Sequence, residues 1–474
     1  MQEPRAEATS DSHHKWWTLA VVGSGTFMSA LDTSVVNVAL PVIGRATHSS
    51  VSTVEWVILA YLIAVGSSLL VFGRLADLYG KRIIYMSGQM VFVLGSLGCG
   101  LSGKIEWLIV SRVIQGVGAA MIFALGPAIL VSVFPGHRRG RALGIQATMT
   151  YLGMSIGPAL GGFLTQHFGW PSIFFINVPI GVGMWFMAYQ VLDNDRPEMV
   201  QPFDPAGAAA MAMGLASLLF ALSKGGEIGW GNPWIVGLGM LAAGCLSLVV
   251  IMEKRMEHPA LDFGMFSNRM FSSSVLAAYL CYAATASIFF LMPYYLFHAA
   301  GVSVSQTGLV MMAIPLTMMA VAALSGTLSD KVGVVGPATM GMGLMAVGIG
   351  WLGQLDLTYS TRHIAACLAL IGMGAGLFTA PNNSAIMGSV ATHRRGVAGA
   401  ILAAARTVGF ATGVAVAGMI YTSFLSGNNG TGTPEEVAYA VRMGMRTTMV
   451  MALVAAFCSA LRGRSSNAIE ARKS

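Results

Sequence analysis

Fourteen long runs of apolar residues constrain this chain more than any other feature. A helix rises about 1.5 Å per residue, so about 20 apolar residues cross a hydrocarbon layer of about 30 Å. Short turns rich in Gly, Pro or charged residues separate the runs, and 55% of the 474 residues are hydrophobic while 10% are charged. We therefore predict an all-α polytopic membrane protein with 14 transmembrane helices. The runs cover residues 17–42, 53–73, 82–102, 105–133, 141–166, 172–192, 205–223, 232–252, 271–299, 305–328, 335–354, 363–390, 396–424 and 445–462.

The net charge of +7 does not indicate a nucleic-acid partner. Lys and Arg cluster in the short loops between apolar runs, as membrane topology requires. Placing both termini in the cytoplasm puts most of the 27 Lys and Arg residues on that side and leaves Arg112 and Arg406 within helices. The positive-inside rule therefore predicts cytoplasmic termini.

Three segments recur later in the chain at a nearly constant offset, which indicates an internal duplication. Each half then has six helices, and the two helices between the halves are an insertion. The predicted domains are residues 1–192, 193–262 with charged joints at both ends, and 263–474. The repeated segments are Gly73–Gly80 with Gly326–Gly333 at offset 253, and Gly116–Ala120 with Gly372–Gly376 and His137–Gly140 with His393–Gly396 at offset 256.

Asp32 is the only ionisable side chain between Trp17 and Pro41. An ionised carboxylate at membrane depth costs about 2.5–3.5 kcal/mol, so Asp32 should face a cavity or a cation. The leading hypothesis is a proton site, and the alternative is a fixed ion pair that holds helices together. Arg112 lies at a similar depth on another helix, so its long side chain can reach Asp32 and tune its protonation. Alternatively, Arg112 only donates hydrogen bonds to backbone carbonyls.

A predicted cytoplasmic loop runs from Gly73 to Arg82 and contains an acid among several bases. Gly73 and Gly80 permit close turns, while Asp77 can cap the next helix or pair with Arg82 or a neighbouring helix. Because the segment repeats near Asp330, we expect these residues to form a contact that opens and closes during a conformational cycle. The alternative is a basic loop that only sets topology.

Glycines at every fourth position mark the fifth apolar run. Gly153, Gly157 and Gly161 form a smooth stripe on which another helix can lie closely, with Gly162 beside it. Pro158 should bend this helix. The repeat of this segment, from Gly409 to Gly418, lacks the proline.

Aromatic and amide side chains within the runs could line an interior apolar cavity, and the 32 methionines suit a surface that re-packs around varied ligands. The candidate substrate-binding residues are Asn37, Trp56, Tyr61, Gln115, Phe123, Tyr282, Phe289, Phe378, Asn382 and Asn383.

Two local patterns imitate enzyme motifs, but their context excludes them. Ser155 lies in a G-x-S-x-G pattern inside an apolar helix, not between a strand and a helix. The glycines before Lys104 imitate a phosphate loop, but Ile105 replaces the Ser or Thr that such a loop needs. The five cysteines have no metal-ligand spacing. We predict neither an enzyme nor a metal site.

Four segments together resemble the major facilitator superfamily, and within it the fourteen-helix drug:proton antiporters. Leu31–Pro41 resembles that family's first-helix motif, and Gly73–Arg82 its loop motif, with Leu78 where a base is usual. Arg112–Gly118 is similar to the fourth-helix motif, whose Arg is associated with proton coupling. Gly153–Gly162 is similar to the antiporter motif that seals the outer side.

The resemblance implies two six-helix halves that alternate in access, with no cofactor and with the proton gradient as the driving force. It implies efflux of amphipathic compounds from a plasma membrane, in bacteria the cytoplasmic membrane. Asp32 is the only acid well inside a predicted helix and can balance one charge, so we predict that these compounds are monocationic or neutral. Expected partners are a small amphipathic substrate, protons and the bilayer, and we expect a monomer. An exporter of one endogenous metabolite or lipid in the same fold is the alternative, and a membrane-embedded enzyme is the remote one.

Overall fold

The computed structural model describes residues 4–194, 205–255, 263–390, 395–425 and 432–462, and within them it contains helices and no strand. A 3₁₀ turn at Phe263–Ser267 and a π-helical turn at Tyr295–Ala299 accompany the α-helices. The α-helices are α1 (Pro4–Ala46), α2 (Val51–Val54), α3 (Trp56–Tyr79), α4 (Lys81–Leu101), α5 (Ile105–Val133), α6 (Gly136–Phe168), α7 (Ser172–Phe175), α8 (Asn177–Val191), α9 (Pro205–Ile228), α10 (Pro233–Arg255), α11 (Arg269–Tyr294), α12 (Val304–Met311), α13 (Ala313–Val332), α14 (Val335–Leu352), α15 (Thr361–Gly388), α16 (Arg395–Ser423) and α17 (Pro434–Ala460).

The predicted fold class is confirmed. Each predicted run corresponds to one long helix or to a helix interrupted by a single residue, the interrupted pairs being α2 with α3, α7 with α8 and α12 with α13. Among the described residues, 12 helices are long and apolar enough to cross a membrane. The two other long helices of the runs are α6, which the glycine stripe and polar residues such as Gln146 make less apolar, and α9, in which Ala209–Leu218 is a shorter apolar stretch among the described residues.

The chain divides into two compact units. Unit 1 comprises Met1–Ala212 and Ser303–Leu309. Within it, α1 packs on α6 and α8, α5 packs on α3 and α4, and α4 packs on α8. The core of unit 1 is therefore formed by six long helices, five of which contribute side chains to the candidate site described below.

Unit 2 comprises Met213–Val302 and Val310–Ser474 and repeats the same packing order. Helix α11 packs on α16 and α17, α15 packs on α13 and α14, and α14 packs on α17. The α9 and α10 helices also pack on each other, with Gly214 against Cys245 and Leu246. The internal repetition seen in the sequence thus has a counterpart in helix packing.

The glycine stripe of α6 lies directly on α1. A Cβ at Gly153 would be 2.5 Å from the carbonyl oxygen of Phe27, and a Cβ at Gly161 would be 2.8 Å from that of Val35. Pro158 lies inside α6, between these contacts. At the end of the stripe, Gly162 meets the backbone of Val304, which belongs to unit 1 as well.

The predicted loop from Gly73 to Arg82 is shorter in the structure than in the sequence-based prediction. Helix α3 continues to Tyr79 and α4 begins at Lys81, so Gly80, at φ +96°, is the only residue between them. Gly73 lies within α3 and is not a turn residue, because the helix-favouring residues that follow it continue the helix.

The side chain of Asp77 lies outside the described part of the structure. Arg82 donates hydrogen bonds to the carbonyl oxygen of Tyr189 at 2.7 Å and to Oδ1 of Asn194 at 2.6 Å. Its guanidinium also lies 5.4 Å from the centroid of the Tyr189 ring. Arg82 therefore ties the start of α4 to the end of α8, and the conformational role of these loop residues stays a prediction.

Candidate functional site

A buried carboxylate forms the centre of the candidate site in unit 1. Asp32 lies in α1 and is 1% exposed. Its Oδ2 accepts a hydrogen bond from Nη1 of Arg112 at 2.6 Å. Its Oδ1 accepts from Nε2 of Gln115 at 2.9 Å and from Nδ2 of Asn177 at 2.7 Å. All three neighbours are donors, so this arrangement suits the ionised carboxylate and offers no acceptor to a carboxylic acid.

Arg112 makes both of the contacts that the sequence left as alternatives. It pairs with Asp32, and its Nε also donates to the carbonyl oxygen of Val57 at 2.8 Å. The guanidinium carbon lies 4.1 Å from the centroid of the Tyr61 ring and 5.9 Å from that of Phe174. Aromatic faces attract a desolvated cation, so the two rings stabilise the buried charge of Arg112 in addition to the carboxylate of Asp32.

Small residues allow the helices around this cluster to approach closely. A Cβ at Gly95 in α4 would be 2.6 Å from the backbone of Gln115 in α5, and a Cβ at Gly116 would be 2.7 Å from the carbonyl oxygen of Tyr61 in α3. Arg112 and Gln115 are three residues apart, so they share one face of α5. The close contacts bring that face within reach of Asp32.

Asn177 and Ser96 belong to this site, although sequence reasoning did not select them. Ser96 Oγ accepts hydrogen bonds from Gln115 Nε2 at 2.7 Å and from Asn177 Nδ2 at 3.0 Å. Asn177 is the first residue of α8, directly after the interruption at Ile176. The only signal in the sequence is an isolated amide within an apolar run, which does not by itself indicate a partner 145 positions away.

The cluster also contains a buried acceptor that is not used. Oδ1 of Asn177 has no hydrogen-bond partner in the structure, and Asn177 is as buried as Asp32. A carboxylic acid at position 32 needs an acceptor for its O–H, and a half-turn of the Asn177 amide would present this oxygen to it. The arrangement can therefore serve both protonation states of Asp32 with a single side-chain rotation.

The residues predicted to line a cavity fall into different surroundings. Tyr61 and Gln115 are buried in the Asp32 cluster, and Phe289, Phe378 and Asn382 are buried in unit 2. The other five candidates are partly exposed: Asn37, Trp56, Phe123, Tyr282 and Asn383. That any of the ten residues lines a cavity stays a prediction.

The described residues contain no group of three or more His, Cys, Asp or Glu side chains that could hold a metal ion. The five cysteines are free, and Cys99 lies beside the cluster, with its Sγ 3.7 Å from Oε1 of Gln115.

Comparison with known proteins agrees with the fold and the apolar helices. A family model, the Major Facilitator Superfamily, matches residues 22–252 and 270–464. The riboflavin transporter RibZ of Clostridioides difficile (strain 630) is 33% identical over 419 residues, 87% of this chain and 90% of that protein. The multidrug resistance protein Stp of Mycobacterium tuberculosis (strain CDC 1551 / Oshkosh) is 31% identical over 416 residues, 86% of this chain and 76% of that protein.

Among solved structures, a D-xylose–proton symporter aligns with a TM-score of 0.68 over 94% of this chain and 97% of that chain. Its sequence identity is 14%, so this likeness shows the fold alone.

Proposed function

The chain belongs to the Major Facilitator Superfamily, and from this premise we propose that it is a proton-coupled antiporter that exports amphipathic, monocationic or neutral compounds by alternating access. Membership makes the chain an integral membrane transporter of small molecules, and its relatives are transporters and not enzymes. The proton coupling, the direction of transport and the substrate class are our proposal.

The observation that carries the proposal is the Asp32 cluster. A single carboxylate is buried at the depth of a membrane helix, opposite a buried Arg and between two amides. A buried ion pair is weak evidence for stability, because desolvation of the two charges offsets much of their attraction. Buried acids in membrane helices more often mark a proton or ion pathway.

The geometry supports the following coupling. Arg112, Gln115 and Asn177 donate hydrogen bonds to the carboxylate oxygens of Asp32. Protonation removes the charge that holds Arg112, and the oxygen that Asn177 can present would accept the O–H of the acid. A monocationic compound near Asp32 would compete with the proton for the same carboxylate, which couples its binding to proton release.

The first test is substrate-induced proton release by purified protein in proteoliposomes, across a panel of monocationic and neutral amphipaths. Asp32→Asn keeps the shape of the side chain but cannot exchange a proton. We expect this variant to bind substrate and to lose uphill export under an imposed pH gradient. Uphill export by Asp32→Asn at the rate of the unchanged protein would rule out Asp32 as the coupling site.

A dedicated exporter of one metabolite or lipid is the second candidate, and the likeness to a riboflavin transporter is the observation that favours it. A binding panel that includes riboflavin separates the two candidates. One tight ligand among many weak ones indicates the dedicated exporter, whereas similar affinities across unrelated amphipaths indicate multidrug efflux.

The remaining features of the proposal follow the resemblance in sequence. We propose that the protein acts as a monomer in the plasma membrane, the cytoplasmic membrane in bacteria, with both termini cytoplasmic. It needs no cofactor, since the proton gradient drives transport. Labelling of single cysteines introduced near either terminus, in sealed cells and then in lysed cells, tests the orientation.

A further inference from the structure

Arg462 is a buried cation at the end of α17 in unit 2. It is 2% exposed, and its only polar partner among the described residues is Asn382, whose Oδ1 accepts a hydrogen bond from Nη2. Nε and Nη1 of the guanidinium have no hydrogen-bond partner among the residues that the structure describes. Thus no carboxylate of the described residues neutralises this charge.

Asn382 and Phe378 complete the surroundings of the guanidinium. Both lie in α15, one turn apart, and each is 1% exposed. Nδ2 of Asn382 has no partner, so the cluster contains three buried nitrogen atoms that can donate and that have no acceptor. The centroid of the Phe378 ring lies 5.7 Å from the guanidinium carbon, which places an apolar face beside the charge.

The charge of Arg462 persists despite its burial. A guanidinium stays protonated in proteins even where it is buried. The C-terminal end of α17 carries a partial negative charge, but a helix end offsets only a small part of the cost of a buried ion. The unpaired guanidinium and the unpaired amide N–H therefore both favour an acceptor that carries negative charge.

We propose that Arg462, Asn382 and Phe378 form a binding site for the oxyanion of an amphipathic compound, a carboxylate or a phosphate whose apolar body contacts Phe378. The anion comes either from an acidic transport substrate or from an acidic phospholipid, and both present the same chemistry. For a transport substrate the inference rests on the proposed function and extends its substrate class to acids. The site itself does not depend on Asp32, which lies in the other unit.

The test compares 2-naphthoate with its neutral analogue 2-naphthamide as ligands of the purified full chain in a neutral detergent. Hydrogen bonds to charged groups are worth about ten-fold or more in affinity, so we expect naphthoate to bind at least ten-fold more tightly than naphthamide. Arg462→Gln should remove this preference. Arg446→Gln is the matched control, because Arg446 is an exposed Arg of the same helix, and it should keep the preference.

Asn382→Asp gives a second variant that does not leave a buried charge unpaired. The new carboxylate would neutralise Arg462, so this variant should unfold at a higher temperature than the unchanged protein and still lose the preference for naphthoate. If Arg462 has only a structural role, Asn382→Asp should raise the unfolding temperature without changing the relative binding of naphthoate and naphthamide. Equal binding of naphthoate and naphthamide to the unchanged protein, or a preference that survives in Asn382→Asp, would overturn the proposal.

Nanodiscs distinguish the two sources of the anion. If a phospholipid occupies the site, phosphatidylglycerol added to phosphatidylcholine should raise the unfolding temperature of the unchanged protein but not that of Asn382→Asp, and should weaken naphthoate binding. If a transport substrate occupies it, the lipid should have the same effect on both proteins. Asp32→Asn should keep naphthoate binding while it loses proton release, so failure of either proposal can be recognised separately.

Discussion

Replacing Asn177 with leucine tests whether the amide cluster sets the protonation of Asp32. Asn177 contributes one of three donors to the carboxylate, at 2.7 Å from Oδ1. Leucine has a similar size and no polar atom, so Asn177→Leu removes the donor without opening a large cavity. Asn177 can donate to the carboxylate or accept from the acid, but a hydrogen bond to a charged group is the stronger of the two. Its loss therefore destabilises the ionised form more than the protonated form, and protonation should occur at higher pH.

The magnitude follows from the kind of hydrogen bond that is lost. A hydrogen bond to a charged group is worth about 1.5–3 kcal/mol, and about 1.4 kcal/mol corresponds to one pH unit. The neutral hydrogen bond that Asn177 can accept from the acid is worth about 0.5–1.5 kcal/mol, so we expect the midpoint of substrate-induced proton release to rise by about one pH unit. Arg112 and Gln115 remain in place, so the variant should still release protons.

Proton release is measured with a pH indicator in lightly buffered detergent solution after substrate addition, at a series of starting pH values from acid to alkaline. Gln146→Leu is the control, since Gln146 is a buried amide of the same unit that donates to Thr26 and not to Asp32. Its midpoint should stay where it is. If Asn177→Leu binds substrate normally and its midpoint also does not move, Asn177 has no part in the coupling.

Two other predictions concern packing and substrate charge. Gly153→Ala should lower the stability of the protein by about 1–3 kcal/mol, because its Cβ would meet the Phe27 carbonyl, whereas Gly144→Ala on the same helix has open space and should be neutral or slightly stabilising in thermal unfolding. Rigid dications should bind at least ten-fold more weakly than matched monocations, since Asp32 can balance only one charge and an unpaired buried charge is costly. Equal dissociation constants for a dication and its monocationic analogue would reveal a second acidic site.

The sequence was sufficient for the fold and for half of the candidate site. Apolar length determined the helices, and the depth of Asp32 and Arg112 in their runs predicted a contact that the structure contains. Residue spacing along one helix could not predict Asn177 or Ser96, because Asn177 reaches Asp32 from α8 and Ser96, in α4, contacts Gln115 and Asn177. Such contacts depend on how the helices are rotated, which periodicity fixes only approximately.

Arg462 shows a different limit of sequence-based prediction. A basic residue at the end of an apolar run is normally explained by topology and by contact with water or lipid headgroups. The structure instead places this side chain inward, against Asn382.

The interruptions between α2 and α3, α7 and α8, and α12 and α13 were also absent from the prediction, because the apolar runs continue through them.

The described helices of unit 2 pack in the same way as those of unit 1, but without a buried ion pair at the equivalent positions. Gly153 in unit 1 packs against Phe27 and Leu31, and Gly409 in unit 2 packs against Tyr279 and Ala283. In the same way, Gly95 packs against Gln115 in unit 1, and Gly348 packs against Ile371 in unit 2. This register defines the equivalent positions in the two units. Asp32 corresponds to Ala284, Arg112 to Leu368 and Gln115 to Ile371, and all three residues of unit 2 are apolar and fully buried.

The same packing is thus achieved with apolar residues, so the polar cluster of unit 1 should be dispensable for folding. Asp32→Ala or Arg112→Leu alone leaves one buried charge unpaired and should cost about 3–5 kcal/mol. The triple variant Asp32→Ala, Arg112→Leu, Gln115→Ile adopts the residues of unit 2 and should regain the stability lost in the single variants. It should nevertheless show no proton release, since it lacks a group that can exchange a proton. Thermal unfolding in detergent and proton release are measured on the same preparations. A triple variant less stable than both single variants would mean that unit 1 needs the ion pair in order to fold.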